Sequence, residues 1–97
     1  MLCALTVRKL KPGTFEEFAE AFRPEGGTPP GWARFDMLRD TADPDRVVTF
    51  GFFDGSMDEL NASQVEHHYE EMRDRASGYV DAVEVNGVFE VAYEAVS

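Results

Sequence analysis

The chain has 97 residues, room for one domain (1–97) and no second core. Its 43% hydrophobic content is globular, and no stretch approaches the roughly 20 apolar residues of a membrane span. With 19 acidic against 9 basic residues the formal charge is −10, a field that repels phosphate backbones and anionic lipid and speaks against nucleic-acid or membrane partners.

Residues Leu2 to Val7 are nearly all apolar, with Thr6 the only hydroxyl, as in a short strand buried on both faces. The basic residues of MLCALTVRKLKPG follow its apolar part, unlike a signal peptide, so the cytoplasm is the expected location. Cys3, the single cysteine, excludes an internal disulfide and a multi-cysteine metal site, and is read as a small buried hydrophobe. Arg8, Lys9 and Lys11 are read as a solvated strand end.

Pro12-Gly13 breaks the strand, and Thr14 with Glu17 forms a capping box for a helix carrying Phe15, Phe18 and Phe22 on one stripe. Pro24 ends that helix, and the loop through Gly31 is rich in Pro and Gly. A second strand runs from about Trp32 to Arg39. Ala33, Phe35 and Met37 point one way; Trp32, Arg34, Asp36 and Leu38 point the other, a mixed face that suits an edge. A turn centred on Asp43-Pro44-Asp45 leads back to a third strand, Val47 to Phe53. There Val48, Phe50 and Phe52 alternate with Val47, Thr49 and Phe53.

Ser56 with Glu59 makes a second capping box, and Ser63 with Glu66 a third. Met57 to about Ala76 is therefore read as two helices stepped near Ala62-Ser63, one continuous helix being the alternative, because a cap inside a helix has no orphan N–H to satisfy. The last strand starts near Val80, with Val83, Val85, Phe89, Val91 and Tyr93 on one face. Its Asn86-Gly87 pair marks either a hairpin turn or a kink.

Strand, helix, strand, strand, helix, strand predicts an α+β fold of the ferredoxin-like βαββαβ kind, a four-stranded antiparallel sheet with two helices on one face. Two helices cover one side only, yet the first and third strands are apolar on both. A homodimer is the economical cover for the second face.

The segments Pro30-Gly31-Trp32, Leu38-Arg39-Asp40 and Asp43-Pro44-Asp45-Arg46-Val47-Val48 resemble the dimeric α/β-barrel superfamily, where "PG" opens the second strand and a "D-P" turn feeds the third. Phe50 to Leu60 matches its strand, acidic-Ser turn and helix start. The likeness is to small proteins grouped with the antibiotic biosynthesis monooxygenases. It implies a dimeric barrel with a ligand pocket between helices and sheet. It also implies, for the enzymes of that family, cofactor-free oxidation of electron-rich polycyclic phenols through a carbanion that meets oxygen. The haem-degrading relatives carry an Asn on the first strand with Trp and His near the second helix. Here Thr6 stands on the first strand and the only tryptophan is Trp32 on the second, which speaks against haem.

On a continuous second helix, Asn61 and His68 fall inside the apolar stripe of Met57, Leu60, Val65, Tyr69, Met72 and Ala76, with Gln64 at its border. Polar groups facing a core need partners or a wet cavity. His68 is thus the candidate catalytic base, and Asn61, Gln64, Tyr69, Trp32, Phe22 and Phe50 the candidate ligand-binding residues. A helical step that turns the polar groups to solvent, or a satisfied core histidine, is the alternative. His67 and His68 point about 100° apart on a helix and cannot share one metal, so no metal is expected. No phosphate loop or nucleophile elbow is present, and no cofactor is expected. The functional expectation is a homodimer that binds a small hydrophobic or aromatic molecule between sheet and helices, with a cofactor-independent monooxygenase as its catalytic form. A non-catalytic ligand-binding or stress-related module is the alternative, and a dimerisation domain with a filled core is a third.

Overall fold

The computed structural model describes residues 1–23 and 27–95, so the expected stop at Pro24 lies outside the described residues. Strands β1 (Leu2–Leu10), β2 (Trp32–Arg39), β3 (Arg46–Phe53) and β4 (Val80–Glu90) form one sheet in the order β2-β3-β1-β4. Every neighbouring pair is antiparallel. Helix α1 (Phe15–Phe22) joins β1 to β2. Helices α2 (Met57–Glu66) and α3 (Tyr69–Ala76), then a 3₁₀ turn at Ser77–Tyr79, join β3 to β4. This is the split βαβ arrangement, in which each crossover leaves room for one strand between the two it connects. No helix among the described residues is long and apolar enough to cross a membrane.

The period-2 geometry of the central strands assigns every side chain to a face. Leu2, Ala4, Thr6, Arg8 and Leu10 of β1 share the helix side with Val47, Thr49, Gly51 and Phe53 of β3. Two apolar clusters lie there. One joins Leu10 and Val47 to Phe18 and Phe22 of α1 and Ala76 of α3; the other joins Phe53 to Trp32 and Leu60 of α2. Phe18 and Phe22, one helical turn apart, stack with centroids 5.3 Å apart. The opposite face carries Cys3, Leu5 and Val7 beside Val48, Phe50 and Phe52, and among the described residues no helix covers it.

Four local expectations are corrected. Thr14 makes no side-chain cap; its hydroxyl donates to the Lys11 carbonyl at 2.8 Å instead. The Ser56–Glu59 box forms with both bonds, but Ser63–Glu66 is no helix start. Ser63 lies buried within α2, and the helical step falls at His67-His68, where His68 takes a left-handed backbone (φ 56°). That residue follows the C-cap His67, the place glycine commonly fills, and no glycine marks it in the sequence. Trp32 changes face: a bulge between Trp32 and Arg34 adds Ala33 to β2, so the indole shares the helix side with Phe35, centroids 4.9 Å apart. Gly51 makes room for both rings, since a Cβ there would lie 2.5 Å from Phe35 and 2.9 Å from Trp32.

In β4 the Asn86-Gly87 pair stays extended and pairs with Thr6 and Leu5. The irregularities come earlier, opposite Val7/Arg8 and Lys9/Leu10, and put Val83 on the helix side while Val85 and Phe89 face the open side.

Candidate functional site

The middle of the helix-facing sheet surface is polar. Thr49, Thr6 and Asn86 are cross-strand neighbours on β3, β1 and β4, a single row between the two apolar clusters. The Thr6 hydroxyl donates to Asn86 Oδ1 at 3.4 Å. Two residues along β1, Arg8 is 4% exposed, the only charged side chain buried among the described residues. It is no solvated strand end. Its phase with Leu10 was the available signal, because residues two apart on a strand share a face.

Arg8 Nη1 donates to Thr49 Oγ1 at 2.8 Å, and the guanidinium lies over the rings of Phe22 (4.6 Å) and Phe18 (5.6 Å). Taking a charge out of water costs several kcal/mol. One charged hydrogen bond returns about 1.5–3 kcal/mol and each ring contact about 0.5–2 kcal/mol. No carboxylate lies within ion-pair distance of Arg8 among the described residues. Among the described residues no fully sealed side-chain nitrogen or oxygen lacks a partner, so the remaining guanidinium donors are ones that solvent space still reaches.

That space is a hollow of about 150 Å³ between α3 and the β1–β4 half of the sheet. Thr6, Arg8 and Asn86 line its sheet side, with Val80 and Val83; Ala76 and Ser77 close it from the helix, and Arg73 and Asp74 sit at that wall. Its volume matches one aromatic ring, since a cavity of about 150 Å³ holds benzene. It is smaller than a polycyclic phenol requires.

A second cleft of about 410 Å³ opens beside α2, between Pro30-Gly31, Phe53-Asp54 and the Glu59, Ala62, Ser63, Glu66, His67 face. Among the described residues no group of three His, Cys, Asp or Glu side chains is placed to hold a metal ion.

The residues singled out from sequence are dispersed. His68 is 71% exposed at its side chain, 3.6 Å from Glu71, and lines neither space. Asn61 is exposed and Gln64 half-buried on α2. Phe22 and Tyr69 do meet, edge to face at 6.2 Å, behind the Arg8 guanidinium. Trp32 is buried in the other cluster, its Nε1 donating to Ser63 Oγ at 2.9 Å. Phe50 projects from the open face, with Phe52 at 5.5 Å, and cannot line a pocket beneath the helices. Thr6, Arg8, Thr49 and Asn86 were the residues missed.

No protein-family model matches the chain, and no curated protein matches it. Among solved structures it is similar to a candidate antibiotic biosynthesis monooxygenase from Nitrosomonas europaea, with a TM-score of 0.78 and 24% identity over 96% of this chain and 100% of that one. A second candidate of that kind, from Chloroflexus aurantiacus, gives 0.77 and 14% identity over 99% and 98% of the two chains. SnoaB, a cofactor-independent oxygenase from Streptomyces nogalater, gives 0.68 and 14% identity over 96% and 94%. At these identities the likeness establishes the fold alone, the four-stranded antiparallel ferredoxin-like α+β arrangement that these proteins share.

Proposed function

On the premise of that shared fold, we propose that this protein is a homodimer that binds a small, largely apolar ring compound between sheet and helices. The observation that carries the reading is the hollow under α3, where Thr6, Arg8 and Asn86 gather hydrogen-bonding groups at the sheet surface beside Val80, Val83 and Ala76. Apolar walls with a few convergent polar groups are the usual make-up of a small-molecule site. The ligand is one ring in size.

Cofactor-independent oxygenation is the catalytic form of this reading. The donors on the sheet favour it, because hydrogen bonds to a ring oxygen favour its anion, the electron-rich form that reacts with oxygen. Among the described residues Asp74 is the one carboxylate lining the hollow and the group placed to take the proton. SnoaB, named as a cofactor-independent oxygenase, supports this reading through its fold.

The test is calorimetric titration of phenol, hydroquinone and benzamide, with oxygen uptake followed in parallel and no flavin or metal added. Binding of at least one compound is expected. Val83→Trp, which fills the hollow from an exposed strand position, is expected to weaken it about tenfold. Failure of all three to bind would overturn the reading; binding without oxygen uptake would leave a ligand-binding module and remove the enzyme.

A further inference from the structure

Four surface cations of this protein have acidic partners, while Arg39 and Arg75 donate to the backbone carbonyls of Pro44 and Ala21. Lys9 pairs with Asp43, Arg34 with Asp36, Arg46 with Asp40 and Glu84, and Arg73 with Asp74. In a chain with 19 acidic residues, the one buried cation among the described residues has none.

We infer that the hollow takes a carboxylate, and that Arg8 is the residue that selects it: the ligand is a single-ring organic acid whose carboxylate meets the guanidinium. The inference rests on the ligand-site reading above and adds the charge of the ligand. Only Nη1 of the guanidinium has a hydrogen-bond partner, Thr49 Oγ1, among the described residues, and the side chain lines the hollow. The rings of Phe18 and Phe22 stabilise a cation without neutralising it and hold its plane in place. A guanidinium presents paired N–H donors that match a carboxylate in geometry as well as charge, which a neutral amide does not. Thr6 and Asn86, on the same wall, remain for a second polar group on the ring.

Benzoate and benzamide differ in charge at nearly constant shape, so their affinities for the intact protein, measured by calorimetry at one salt concentration, decide the question. Benzoate is expected to bind at least about tenfold more tightly. Arg8→Met is expected to bring the ratio close to one while benzamide still binds. Arg8→Lys, which keeps the charge and loses the fork, should retain part of the preference and serves if Arg8→Met does not fold. Equal binding of the two probes to the unaltered protein, or a preference that persists in Arg8→Met, would overturn the carboxylate inference and leave the ligand site standing. Failure of both probes to bind would overturn the carboxylate inference, and the site with it only if phenol and hydroquinone fail as well.

Discussion

Trp32 and Ser63 show what a single contact contributes in a domain this small. The indole N–H is buried and its partner is the Ser63 hydroxyl, which is itself 8% exposed. Replacing Ser63 by alanine leaves a buried donor unpaired, which costs about 1–3 kcal/mol. The expected outcome for Ser63→Ala is a lower urea midpoint with an unchanged slope. Pairing it with Trp32→Phe, which removes the donor as well, should cost less than the sum of the two single changes. This contact was not legible in the sequence, where Ser63 resembled a helix cap and Trp32 belonged by alternation to the other face. One inserted residue, Ala33, reverses the parity of everything before it. Arg8 was legible in part: its phase on β1 was plain, but the alternation of a strand does not say how deep its far end lies.

The β2–β3 turn is where charge and local structure are most tightly linked. The Asp40 carboxylate accepts from the Ala42 N–H at 2.8 Å and from Arg46; Asp43 accepts from Lys9 and from the Asp45 N–H. The Ala42 N–H first, and then Arg46, hold Asp40 below the usual carboxylate range; Lys9 foremost does the same for Asp43. Both groups therefore bind protons more weakly folded than unfolded. Their contribution is complete above the unfolded value of about 3.9 and is lost as pH falls through the folded values. Lys9 is shifted the other way, chiefly by its hydrogen bond to Asp43, so its share is lost only when pH rises past the ordinary lysine range. Stability measured by urea is expected to be level from about pH 5 to pH 8 and to fall below about pH 4. Asp40→Asn with Asp43→Asn should flatten that acid limb. The turn itself was evident from Asp43-Pro44-Asp45. The helical step was evident only as a step: its place at His68 follows from a left-handed residue that no glycine announces.

At the scale of the whole molecule the open sheet face dominates. Leu38, Val85 and Phe89 are 49%, 39% and 47% exposed there, beside the half-buried Phe50 and Phe52. Phe50→Asp places a charge at the middle of that face without touching the helix-side core, so the fold is expected to survive. If the face pairs with a second copy, each copy loses a buried ring at about 2–3 kcal/mol, so the dimer dissociation constant rises about a thousandfold or more. Light scattering at micromolar concentration is expected to show a dimer for the unaltered chain and a monomer for Phe50→Asp. A monomer in both cases removes the homodimer. By itself the sequence determined the order of strands and helices, the two-sided apolar character of β1 and β3, and so the ferredoxin-like sheet, because periodicity and turn chemistry are local properties of the chain. Only the tertiary structure decided that Phe50 faces away from the helices, that Trp32 faces toward them, and that Thr6, Arg8, Thr49 and Asn86 meet in one polar patch. Those assignments depend on register and bulges across strands as much as 80 residues apart, from Thr6 to Asn86. The alternation of a single strand states which residues share a face and is silent on what covers it.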